Sequence, residues 1–253
     1  MKTAACFVLG SLVAAAAAAD DCRHTAPVDV RSGASGVRTV EVRSGSGSLT
    51  VVGTARSDVR AHGTACASDE DVASTIGVRV SRSGDRLIVE TDIPDTGDTW
   101  FWDSYARLDL TVELPAGVRV EIDDGSGSTS VRDVAALDLE DGSGSIDLRG
   151  IRGPVRITDG SGSIEIDDVQ GPVRIEDGSG SIGVRSVRTD VVIEEDGSGS
   201  MDIAEVAGSV VIERDGSGSI DVRDVTGDLR VGRDGSGGIS IDRIGGRVSI
   251  PRD

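Results

Sequence analysis

Asp159-Gly160-Ser161-Gly162-Ser163-Ile164 is the stretch that decides the fold. The Asp-Gly-Ser-Gly-Ser unit begins at Asp124, Asp141, Asp159, Asp177, Asp196 and Asp215. It recurs in altered form as Asp234-Gly235-Ser236-Gly237-Gly238. The intervals are 17, 18, 18, 19, 19 and 19 residues. A fixed period of this kind is the mark of a repeat architecture.

The residues between the units align as well. Five residues after the aspartates come Ile146, Ile164, Ile182, Met201, Ile220 and Ile239. Two further on are Leu148, Ile166, Val184, Ile203, Val222 and Ile241, and three beyond those are Ile151, Val169, Val187, Val206, Val225 and Ile244. An alternating pair follows, as in Val155/Ile157, Val173/Ile175 and Val191/Ile193. Period-two alternation of β-branched residues reads as short half-buried strands. Helix punctuation is missing, and nothing between the units is long enough for a helix. The length changes fall in turns. The 17-residue repeat loses one residue before Leu137, and the 19-residue repeats gain one just before the Asp.

Strands this short are satisfied either by hairpins or by the coils of a β-solenoid. In-register stacking puts like residues above one another at about 4.8 Å, which explains why each position keeps its residue type. The predicted fold is therefore all-β: a single-stranded right-handed β-solenoid (β-helix) with 17–19-residue coils. A coil this slim has no room for large side chains, in keeping with an aromatic content of 2%.

The Gly-Ser-Gly glycines are expected to supply positive φ, and the Asp and Ser side chains to bond nearby backbone N–H groups. Stacking suggests a second role. Asp141, Asp159, Asp177, Asp196 and Asp215 in one column would repel, and Ca²⁺ would relieve them. The 18-residue period equals two nonapeptides of a calcium-binding β-roll, but here the sixth position is Ile146 or Ile164, facing the core. Gly178-Ser179-Gly180-Ser181-Ile182-Gly183 matches a dinucleotide fingerprint only in letters, since it precedes a strand.

Met1–Ala19 reads as a secretory signal peptide with an Ala-rich end. Residues 20–253 are expected to form one solenoid domain, with irregular coils over 20–115 and regular repeats over 116–253. Cys6 leaves with the leader, so Cys22 and Cys66 form the expected disulfide of an oxidising compartment. His24 and His62 lie beside them and make a Cys₂His₂ metal site the alternative. In the N-terminal part, Val40-Glu41-Val42-Arg43 runs into Ser44-Gly45-Ser46-Gly47-Ser48 and Leu49-Thr50-Val51. This is the same strand–turn–strand unit with Ser in place of Asp. Pro251-Arg252-Asp253 follows the last strand with devices that blunt an edge.

Every aromatic residue of the predicted mature chain lies at Trp100, Phe101, Trp102 and Tyr105. A loop folded over a strand edge explains them, and so does a ligand-binding or adhesive patch, since clustered Trp and Tyr are common anchors.

The net charge is −18, with 44 acidic and 26 basic residues. That balance disfavours nucleic acid and anionic membranes as partners. Asp147, Glu165, Asp202 and Asp221 fall in one outward column, and Arg156, Arg174 and Arg230 in another. No Gly-x-Ser-x-Gly elbow, His-Glu-x-x-His or P-loop occurs, so no enzyme and no cofactor are expected.

Val40-Glu41-Val42, Gly47-Ser48-Leu49-Thr50-Val51, Leu114-Pro115-Ala116-Gly117-Val118 and the serial Ser-Gly-Ser-Ile-x-Ile units together resemble the DUF4097 family of exported bacterial proteins, which carry the label of adhesin. The resemblance covers essentially the whole mature chain and implies a β-solenoid with an envelope or surface role. It brings no catalytic residues. The functional expectation is a non-enzymatic structural or adhesive solenoid. It would sit in the periplasm, at the cell surface or outside the cell, act on an unidentified protein or glycan ligand, and have no membrane span once mature. The rival is a Ca²⁺-dependent module using the Asp column.

Overall fold

The computed structural model describes residues 22–94 and 104–250. The expected leader, Trp100, Phe101, Trp102 and the final Pro251-Arg252-Asp253 lie outside the described residues. The chain begins with β1 (His24–Gly33), β2 (Thr39–Ser46), β3 (Leu49–Thr54) and β4 (Asp58–Ala67). Helix α1 (Glu70–Thr75) follows, then β5 (Gly77–Ser83), β6 (Arg86–Asp92) and β7 (Ala106–Pro115). The repeats open with β8 (Arg119–Ser126), β9 (Thr129–Arg132), β10 (Ala136–Asp141) and β11 (Ile146–Ile151). They continue as β12 (Val155–Asp159), β13 (Ile164–Val169), β14 (Val173–Asp177), β15 (Ile182–Val187), β16 (Val191–Asp196) and β17 (Met201–Val206). The last are β18 (Val210–Asp215), β19 (Ile220–Val225), β20 (Leu229–Asp234), β21 (Ile239–Ile244) and β22 (Val248–Ser249).

The strands form two 11-stranded sheets. Sheet A runs β1-β4-β7-β3-β9-β11-β13-β15-β17-β19-β21, and sheet B runs β5-β6-β2-β8-β10-β12-β14-β16-β18-β20-β22. Beyond the N-terminal end the pairing is parallel, and the chain is the expected β-solenoid, with about seven turns of ~19 residues. Ile146, Ile164, Ile182, Met201, Ile220 and Ile239 pair rung to rung, as the repeat alignment requires. These apolar ladders fill the space between the sheets, and Ile164, Val169, Ile175, Val191 and Ile193 have no exposed surface. The extra residue of the longer coils is a bulge before the aspartate: Ile175 pairs with Ile193, but Glu176 pairs with Glu195.

The N-terminal coils join both sheets, but not in chain order. The coil β2–β3 lies between β6–β7 on one side and β8–β9 on the other. Ser44 pairs with Asp124, so the Ser-Gly-Ser-Gly-Ser unit is a true rung of the stack. The end is closed by long antiparallel strands. β4 pairs with β1 and with β7, and β5 pairs with β6. Helix α1 packs on this cap, with Asp69 Oδ1 accepting from the backbone N–H groups of Asp71 and Val72.

Only the second glycine of each Gly-Ser-Gly has positive φ, from 116° at Gly47 to 152° at Gly237. This corrects the expectation for the first. Gly142, Gly160 and Gly178 are needed because a Cβ there would press on the carbonyl of the glycine one coil below. A second left-handed column was not foreseen. Asp133, Gly150, Asp168, Ser186, Glu205, Asp224 and Arg243 occupy one place in successive coils, and the non-glycines have φ of 51–60°.

Candidate functional site

In β12 the alternation Val155, Ile157, Asp159 places all three side chains inside. The same parity holds in β8, β10 and β14, and in β16, β18 and β20 the bulge ahead of the aspartate keeps it in the same column, so the aspartates form an internal file. Asp196 is 1% exposed and Asp141, the most exposed of the six from Asp124 to Asp215, is 6%. The register runs Ser44, Asp124, Asp141, Asp159, Asp177, Asp196, Asp215, Asp234. The expected turn-forming role is present: Asp141, Asp159 and Asp177 accept through Oδ1 from the N–H of Ser143, Ser161 and Ser179 at 3.2–3.3 Å. The second oxygen of each has no donor. Asp196 and Asp215 have no donor on either oxygen, and Asp234 Oδ1 has none.

Asp124 differs. Thr129 donates to its Oδ2 at 2.9 Å. The later coils place Ile146, Ile164, Ile182, Met201 and Ile220 where Thr129 stands. Burial, with the aspartates on adjacent rungs, pushes the Asp141 and Asp177 carboxyls up to about 6. Burial first, then Asp234 and Asp196, pushes Asp215 up to about 7. Burial also raises Asp124, Asp159 and Asp196. Among the described residues no group of three or more His, Cys, Asp or Glu is placed to hold a metal ion.

The outer face of sheet A carries the predicted acidic column: Asp147, Glu165, Gly183, Asp202 and Asp221 stack in register. Beside it run Arg149, Asp167, Arg185, Ala204 and Arg223. Arg223 bridges Asp202 at 2.9 Å and Asp221 at 3.3 Å, and Arg149 lies 3.5 Å from Asp167. Gly183 interrupts the column and leaves a bay of about 350 Å³ lined by Asp147, Arg149, Glu165, Arg185 and Asp202. On sheet B the predicted column of Arg156, Arg174 and Arg230 also faces out, and Arg174 pairs with Glu194.

At the cap, Cys22 and Cys66 form the expected disulfide, with Cα atoms 5.7 Å apart. Both thiols are thereby consumed, and His62 Nε2 instead lies 4.0 Å from Glu113. The Tyr105 hydroxyl accepts from the Arg23 N–H at 3.0 Å, and the Tyr105 backbone exchanges bonds with Ser68. Tyr105 therefore ties the disulfide-bearing strand to β7. No described helix is long and apolar enough to cross a membrane.

No protein-family model matches the chain, and no curated protein matches it. Among solved structures it is similar to a "putative cell adhesion protein" from Clostridium sporogenes, at 13% identity over 89% of this chain and 99% of that one, with a TM-score of 0.37. It is similar to a "putative adhesin" from Bacteroides fragilis, at 11% identity over 89% and 96%, with a TM-score of 0.41. A third, a "putative adhesin" from Parabacteroides merdae, shares 10% identity over 91% and 97%, with a TM-score of 0.39. No residue role is carried over from these likenesses.

Proposed function

We propose that the chain is an exported, non-enzymatic β-solenoid with a structural or adhesive role at the cell envelope or surface, and that the outer face of sheet A is its contact surface. The observation that carries this reading is the pair of in-register outward columns flanking the Gly183 bay. Charged groups repeated at one-rung spacing on a rigid frame meet an extended partner at many points. Each exposed contact is weak, and their number supplies the avidity. The Cys22–Cys66 disulfide supports export to an oxidising compartment, in agreement with the leader read at Met1–Ala19.

The test is binding of the purified protein to glycan and envelope-protein arrays. Gly183→Gln fills the bay, and its added Cβ displaces only the flexible end of Glu165. Folding should be kept, and binding should fall about tenfold, equivalent to roughly 1.4 kcal/mol. A loss confined to Trp100→Ala with Trp102→Ala would move the contact to the aromatic stretch. Turnover of a polysaccharide would overturn the non-enzymatic reading.

A further inference from the structure

An ionised carboxylate without a counter-charge is among the most costly groups to bury. This core holds six in a file, and a seventh, Asp234, is half-buried at the end. The groups facing the file do not answer it. Across the turn stand Ile146, Ile164, Ile182, Met201 and Ile220, with Thr129 donating only to Asp124 and the Ser44 hydroxyl itself without a partner. The charged residues directly before the aspartates, Asp123, Glu140, Glu176, Glu195, Arg214 and Arg233, are exposed on the opposite side of the strands. A divalent cation needs several converging oxygens, and no such group is assembled here. The Asp215 carboxyl, however, stands in register between those of Asp196 and Asp234, one rung of about 4.8 Å away on each side, and none of the oxygens of Asp196 or Asp215 has a donor. Two acceptors at that separation repel unless a proton lies between them.

We propose that the aspartate column is a proton-binding site running through the core, in which carboxyls on neighbouring rungs share protons taken from solvent, so that loss of those protons loosens the solenoid. The folded chain then holds protons that the unfolded chain releases. The raised values of about 6 for Asp141 and Asp177 and about 7 for Asp215, against 3.8, set the window. This stability is complete below about pH 4 and is lost as pH rises to about pH 7.

The experiment is thermal unfolding of the purified, oxidised protein in EDTA from about pH 4 to about pH 8, repeated in ~1 M salt, where exposed charges are screened within about 3 Å. The expected result is a melting temperature that falls through this window in both salts. Asp159→Asn with Asp177→Asn puts a neutral amide where the protonated acid stood, and flattens the fall. A melting temperature that is level or rises with pH overturns the proposal. A fall abolished by salt assigns the effect to surface repulsion and also overturns it. Stoichiometric Ca²⁺ binding that restores the neutral-pH melting temperature overturns it in favour of cations. If the Asn variants do not fold, infrared spectra of the unsubstituted protein decide. A protonated-carboxyl band in the folded protein near pH 6 that is lost on unfolding supports the proposal, and its absence overturns it.

Discussion

Thr129 Oγ1 donates to Asp124 Oδ2 at 2.9 Å, and Asp159, two coils on, faces Ile164 at the equivalent place. The two rungs form a natural comparison, because one carboxylate has a side-chain donor across the turn and the other has apolar surface.

Thr129→Val removes the hydroxyl with little change of shape and leaves a buried carboxylate oxygen unmet. The expected cost is about 1–3 kcal/mol at neutral pH, and it shrinks as pH falls, because burial raises the Asp124 carboxyl and favours its protonated form. Urea unfolding at neutral and at lower pH measures it.

Ile164→Thr is the converse. It forfeits apolar contact worth roughly 1–2 kcal/mol and gives Asp159 a charge-assisted bond of about 1.5–3 kcal/mol. The variant should be destabilised near pH 4 and close to neutral, or more stable, near pH 8.

Gly180 has φ of +149° and sits against the Gly162 carbonyl, whereas Gly238 has open space around it. Gly180→Ala is expected to cost more than ~4 kcal/mol or to abolish folding, while Gly238→Ala should stay within about 0.5 kcal/mol. Expression and melting temperature separate the two.

Glu205 holds φ of +58°, a conformation costing an L-residue about 1–2 kcal/mol. Its exposed carboxylate accepts from Ser186 Oγ at 2.9 Å, which returns only part of that. Glu205→Gly should stabilise by roughly 0.5–1 kcal/mol, read as a raised denaturant midpoint at constant slope.

The disulfide spans 44 residues of sequence, for which loop-closure entropy gives about 4 kcal/mol. Cys22→Ser with Cys66→Ser should lower stability by up to that amount. Hydrogen exchange should show β1 and β4 losing protection first, because a solenoid's stability is a sum of local stacking steps.

Much of this was legible in the sequence. The ladders, the outward columns, the residue inserted before Asp196 and the equivalence of Ser44 with Asp124 all follow from aligning the repeats. The inward aim of the aspartates was legible too. Val155, Ile157 and Asp159 share one parity, and carrying the alternation two residues further puts the carboxyl inside. The turn chemistry of Asp-Gly-Ser drew attention from it, because one carboxylate oxygen does serve that turn. The cap was hidden for a different reason. β1, β4 and β7 are paired by long antiparallel contacts between segments far apart in sequence, which no local period reports. The left-handed column carries Asp, Gly, Ser, Glu and Arg in turn, so residue type gives it no constant mark.

The placement of β2–β3 between β6–β7 and β8–β9 gives the molecule a direction of assembly. As the chain is made, the first coil has neither neighbour, and strands β4 to β7 must fold back over one side of it before β8 arrives on the other. Closing that cap draws together segments far apart in the chain, the slow and entropically costly kind of contact. β8 and β9 still reach back about 80 residues to β2 and β3, but from β10 onward each turn meets a finished edge less than twenty residues behind it. A cap closed first would offer the edge on which the column grows, and lengthening the repeat array would add rungs without adding to that first step.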